Sequence, residues 1–284
     1  MCYREEVLWF DNPLFSEDVI PVSYLLTMEN SSRRASYMQQ LADFRPTRKV
    51  IILHNKGWKR CEKPTWVTNS SADLWHANLE VANRASGCVL LLEDDVQFLP
   101  HVRQDVTRVE TLLREKRDET FFYTLGTRFM HSVMMKNSTQ QHHLRVIFGG
   151  DAHAIIYNNI KALQDLDVPN GQLHDFCVYN QMDGYTFERP LAIQYAETTE
   201  NSTHWNLWGI PILLIKTIGD EELFWLVHGL GKYGGIAPAV VMLLLLLYLL
   251  SSKSKTLSSI ILSLLIIYVI AAIPALLKTF YRPS

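Results

Sequence analysis

Across residues 1–205, short apolar runs alternate with amphipathic stretches. Val19–Thr27 (VIPVSYLLT), Lys49–His54 (KVIILH), Cys88–Leu92 (CVLLL), Thr120–Leu125 (TFFYTL) and Ala152–Tyr157 (AHAIIY) predict strands. Between them, Arg34–Asp43, Ala72–Ala85, Val102–Glu115 and Asn159–Asp165 predict helices. Strands apolar along their whole length, alternating with helices, point to an α/β domain whose mostly parallel sheet is covered on both faces. No repeat with a period of about 20–50 residues is visible, which excludes a solenoid.

The pattern changes after residue 205. Gly234 to Ser252 and Leu257 to Leu277 are two uncharged apolar stretches, each near the ~20 residues that cross a bilayer core as a helix. Neither has the polar stripe of a soluble helix. They predict a transmembrane hairpin within 233–284, turning at Lys253-Ser254-Lys255-Thr256. Residues 206–232 form a linker in which Asp220-Glu221-Glu222 and the aromatic-rich body after it predict a helix, either interfacial or simply connecting. A hairpin returns the chain to its starting side, so the domain of 1–205 and the tail share one compartment. The lipid bilayer is thus an expected partner.

Charge narrows the other partners. The 284 residues carry 27 Lys+Arg against 29 Asp+Glu, and no basic tract stands out in the amino-terminal domain. A phosphate-neutralising surface is absent from the pattern, so nucleic acid is not expected as a ligand. Cys2, Cys61, Cys88 and Cys177 are too widely spaced for a metal or redox motif and predict free thiols in a reducing compartment. The amino terminus lacks the apolar run of a secretory signal, which favours the cytosol. Four N-x-[ST] sequons, at Asn30, Asn69, Asn137 and Asn201, keep a lumenal placement open.

The strongest chemical signal is Leu90-Leu91-Leu92-Glu93-Asp94-Asp95-Val96. An apolar strand ends in three acids at the carboxyl edge of a parallel sheet, where ligands bind in open α/β folds. Burying such carboxylates needs a compensating cation, and oxygen ligands suit Mg²⁺ or Mn²⁺. Alternation along an extended chain places Glu93 and Asp95 on one face and Asp94 on the other. A solvated acidic turn capping the next helix is the competing reading.

The order of these segments resembles glycosyltransferase family 25, which includes lipopolysaccharide and collagen galactosyltransferases. The resemblance spans about residues 20–205. It is carried by Thr27-Met28-Glu29-Asn30-Ser31-Ser32-Arg33-Arg34, Ser70-Ser71-Ala72-Asp73-Leu74-Trp75, Leu92-Glu93-Asp94-Asp95-Val96, the Gly149-Gly150-Asp151 stretch, His174-Asp175-Phe176 and Arg189-Pro190-Leu191. The family's His falls on Ser71 and its Asn-Leu pair on Thr27-Met28. The resemblance implies a GT-A-like nucleotide-sugar-binding domain that transfers galactose or glucose from a UDP-sugar to a hydroxyl of a glycan, glycolipid or protein acceptor, inverting the sugar's configuration.

The demands of that reaction select residues. Asp95 and Glu93 are the candidate metal ligands, with His204 as a third from a late loop. Glu93, Asp94, Arg33 and Arg34 are candidates for the donor. Asp175, beside Phe176, is the candidate base for the acceptor hydroxyl. Each has a plainer reading: Arg33 and Arg34 as surface charges, Asp175 as a helix cap, Trp75 as core. The rival to a membrane-anchored enzyme is a catalytically inactive α/β module that binds partners at the membrane.

Overall fold

The computed structural model describes residues 1–126, 133–136, 142–148, 153–171 and 174–194. The linker, the hairpin and His204 lie outside the described residues, and no described helix is long and apolar enough to cross a membrane.

The elements in chain order are β1 (Tyr3–Trp9), β2 (Val22–Met28), α1 (Arg34–Phe44), β3 (Lys49–Asn55), α2 (Ser70–Arg84), β4 (Val89–Glu93), β5 (Val96–Phe98), α3 (Val102–Glu115), β6 (Phe121–Thr124), β7 (Val133–Lys136), β8 (His143–Phe148), β9 (Ala154–Tyr157), α4 (His174–Gln181), β10 (Asp183–Phe187) and β11 (Ala192–Gln194). Nine strands form one sheet in the order β1-β3-β2-β4-β9-β6-β10-β8-β7, and β5 pairs with β11 in a small second sheet. β2, β3 and β4 run parallel, as do β6 and β10. Chaining the pairings gives β2, β3, β4, β6, β7 and β10 one direction, opposed by β1, β8 and β9. The domain is therefore mixed α/β with a mostly parallel central sheet.

The apolar strands fill two cores because their side chains alternate between faces. Leu25, Val50, Ile52, Leu90 and Leu92 face one core, closed by Tyr37 and Leu41 of α1 and by Val102, Val109, Leu112 and Leu113 of α3. Tyr24, Leu26, Ile51, Leu53, Val89 and Leu91 face the other, closed by Trp75, Val81 and Ala82 of α2 and by Val178 and Tyr179 of α4. The four predicted helices are present in place, although 160–165 is a 3-10 turn, and α2 begins two residues early because the Asn69 side chain accepts from Ala72 N at 2.9 Å.

β1 and β10 were not expected. β1 is an edge strand whose exposed Glu5, Val7 and Trp9 give it no apolar run. In β10, Gly184 interrupts the pattern, and it is required there: a Cβ would lie 2.2 Å from the Phe122 ring. The 137–143 stretch, expected as a loop, contributes His143, 5% exposed, to the start of β8.

The expectation of four free thiols is corrected. Cys2 and Cys61 form a disulfide with a Cα–Cα separation of 5.5 Å, and Cys88 and Cys177 are free. Spacing hid the pair because β1 lies antiparallel to β3, with Tyr3 opposite Asn55. That register carries Cys2 to the loop leaving β3. The same loop is anchored by Lys63, whose side chain is 2% exposed; it pairs with Asp73 and donates to Asn55 Oδ1 at 2.7 Å. Asp73 also accepts from Asn55 Nδ2 at 3.1 Å and Trp58 N at 3.2 Å.

Two outcomes follow. Under non-reducing conditions Cys61→Ser lowers the unfolding free energy by about 2–4 kcal/mol in urea titration; equal stability of variant and parent there excludes the crosslink. Gly184→Ala, which overpacks Phe122, costs about 1–3 kcal/mol by the same measurement.

Candidate functional site

The acid triplet stands at the carboxyl edge of β2, β3 and β4, as the strand pattern requires. β4 ends at Glu93, and Asp94 and Asp95 form the turn into β5. Strict alternation therefore stops at Glu93. The expected separation of Asp94 from Asp95 is corrected, since both meet the same guanidinium. Arg33 Nη1 is 2.5 Å from Asp94 Oδ1 and 3.5 Å from Asp95 Oδ2.

Asp94 is held from three directions. Besides Arg33, its Oδ2 accepts from Thr27 Oγ1 at 2.7 Å and from Ser31 Oγ at 2.7 Å. These donors come from the end of β2 and the loop into α1, so the carboxylate ties that loop to the end of β4. Asp95 is 7% exposed, a buried acid rather than a solvated turn. Burial by itself would lower the Arg33 pKa, but the charges of Asp94, Asp95 and Glu93 outweigh it and raise the value. The Arg33 guanidinium thus meets Asp94 and Asp95 directly, and the charge of Glu93 acts on it at longer range.

Arg34 is placed elsewhere. Its guanidinium pairs with Glu6 of β1 at 2.8 Å and donates to Tyr37 Oη at 3.2 Å, while Glu6 also meets His54 Nε2 at 2.8 Å. The hydrogen bond from Arg34, opposed by desolvation and helped by His54, lowers the Glu6 pKa from 4.5 to about 2.

Asp175 stands in the first turn of α4, with its side chain 28% exposed. His174 Nε2 lies 3.0 Å from Asp175 Oδ1. The His174 ring is buried, stacks on Trp75 at 5.8 Å between centroids, and places Nδ1 3.5 Å from Ser71 Oγ. Trp75, 3% exposed, is core; its ring also holds His174. Ser71 of α2 and His174 of α4 are thus neighbours in space.

The Tyr157 hydroxyl is driven well above its ordinary pKa by burial first, then by the charges of Asp175, Tyr179 and Glu93. β9 brings Tyr157 into this core, and at its other end Glu93 N donates to His153 O at 2.9 Å. The Phe176 side chain lies outside the described residues.

A divalent ion can be tested against these donors. Both oxygens of Asp94 are committed, and no group of three His, Cys, Asp or Glu side chains suited to a metal occurs among the described residues. Mg²⁺ is often held by one or two carboxylates together with substrate phosphates and water, a number that Glu93 and Asp95 at the end of β4 would supply.

Gly126 follows β6, and any Cβ there would meet the Ala192 carbonyl oxygen. Leu125 O accepts from Leu191 N at 2.6 Å and from Ala192 N at 3.1 Å, so β11 is fixed beside the end of β6. Two open cavities, of about 570 and 620 Å³, are instead lined by residues such as Arg48, Glu17, Gly87 and Arg117 at the opposite edge. They bear no relation to the acid cluster.

Thr27, Ser31 and His174 lie within segments that the sequence singles out, but no site role was assigned to them. The hydroxyl-rich run Thr27–Ser32 before Arg33 was the available signal for the first two. The partners of His174 come from α2, which its own segment does not reveal.

Glu6 provides a pH test. Its folded pKa is depressed, so its stabilisation is complete above about pH 4.5 and is lost as pH falls toward 2. Glu6→Gln flattens the stability curve in that window, measured by urea midpoints from pH 5 down to about 2; an unaltered acid limb refutes the contribution.

Compared with known proteins, the chain matches no family model and no curated sequence.

Proposed function

We propose that residues 1–205 are a GT-A-like, metal-dependent glycosyltransferase. It moves a hexose, galactose or glucose, from a UDP-sugar to a hydroxyl of a glycan, glycolipid or protein acceptor. A carboxy-terminal hairpin holds it at the bilayer. The observation that carries this reading is the buried, net-negative acid cluster at the ends of parallel strands, with Arg33 set between Asp94 and Asp95.

Each role follows from chemistry. Asp95 and Glu93 would hold Mn²⁺ or Mg²⁺, which supplies charge neutralisation to a diphosphate. Arg33 presents a second cation to the same phosphates, while Asp94 holds Arg33 and the β2–α1 loop in position. As the acceptor oxygen bonds to the anomeric carbon, the bond from that carbon to the UDP oxygen breaks and the hydroxyl proton passes to Asp175. His174 Nε2 stands 3.0 Å from that carboxylate. Anchoring near a membrane-bound acceptor raises its effective concentration. Arg34, engaged with Glu6, is assigned to the fold rather than to the donor.

The test is a donor screen that follows UDP release with and without chelator. Hydrolysis or transfer that needs a divalent ion, and that falls at least about 100-fold in Asp95→Ala, supports the enzyme. A folded parent protein inactive with every donor selects the rival binding module.

A further inference from the structure

We infer that Asn30 is a site of N-linked glycosylation on a domain that matures in an oxidising compartment. Two independent features of the described residues lead there.

The first is the Cys2–Cys61 disulfide. Such bonds persist on the oxidising side of membranes and are rare where glutathione and thioredoxin keep thiols reduced. Closing this one removes two protons and two electrons from the thiols, which pass to a disulfide oxidant of that compartment. The bond crosslinks β1 to the loop after β3, a loop already set by the buried Lys63–Asp73 pair. It is therefore part of the domain's packing and not an incidental contact between tails.

The second is the geometry of the sequon Asn30-Ser31-Ser32. Transfer to it joins the Asn30 side-chain nitrogen to the anomeric carbon of an oligosaccharide. The bond from that carbon to a lipid diphosphate carrier breaks, and the amide proton is lost. The folded domain must then leave the asparagine in solvent. Asn30 and Ser32 are both exposed. They occupy a turn closed by Ser31 N donating to Met28 O at 3.0 Å and pinned by Glu29 N donating to Asn55 O at 2.9 Å. Between them Ser31 turns inward to Asp94, so the backbone stays anchored while its neighbours face outward.

The sequon at Asn69 contrasts with it. Asn69 is half-buried and caps α2 through Ala72 N, and Ser71 Oγ turns in toward Gly171 O at 3.4 Å. Asn137 and Asn201 lie outside the described residues. A glycan on Asn30 would stand at the rim of the acid cluster, next to the loop that positions Arg33. Neither feature depends on the transfer reaction proposed above.

The experiment uses the full chain expressed in a eukaryotic cell, with free thiols blocked before digestion and peptides mapped by mass spectrometry without reductant. The expected result is an oligosaccharide on the Asn30 peptide and a covalently joined pair of Cys2 and Cys61 peptides. Asn30→Gln and Ser32→Ala each lose that one glycan, and Ser32→Thr keeps it, which separates sequon chemistry from misfolding. An Asn30 peptide of unmodified mass overturns the site. Cys2 and Cys61 both carrying the blocking label overturns the compartment.

Discussion

Removing a carboxylate from water costs several kcal/mol unless donors and a counter-charge replace its hydration. At the end of β4, Thr27, Ser31 and Arg33 supply both to Asp94. Much of the carboxyl edge depends on that exchange. It fixes the path of the chain from β2 into α1, sets the guanidinium of Arg33 within reach of Asp95, and lets β4 end in acids while its preceding residues stay fully buried. An unpaired acid here would destabilise the strand end.

Charge at this edge is divided between scaffold and chemistry. Asp94 spends its oxygens on protein donors. Asp95 lies 3.5 Å from the Arg33 guanidinium, and Glu93 adds its charge at longer range. Arg33 and Arg34 divide in the same way: one faces the acids, the other locks β1 to α1 through Glu6 and Tyr37. Adjacent helix-start residues point in different directions, so neighbours in sequence take unrelated roles.

The second half of the region is built from α2 and α4. Trp75 is buried for packing, but the face it offers fixes the His174 ring, and His174 in turn meets Asp175. Core packing and the placement of a polar pair are therefore one arrangement. The charges of Asp175 and Glu93 both add to the effect of burial in raising the Tyr157 pKa.

The sequence by itself determined the elements whose burial is two-sided. β2, β3, β4, β6 and β9 are apolar along most of their length because both sheet faces are covered, and α1, α2 and α3 show the helical period because one face packs. It also located the acid triplet at a strand end. Tertiary structure alone decided the rest, since the partners come from distant segments. β1 is a strand only because β3 offers it an edge. Cys2 reaches Cys61 only through that register. Gly184 is tolerated in β10 because Phe122 fills the space above it. His174 comes to Ser71 only because α4 packs beside α2. Local periodicity reports which surface of an element is buried, and it carries no record of which distant side chain buries it.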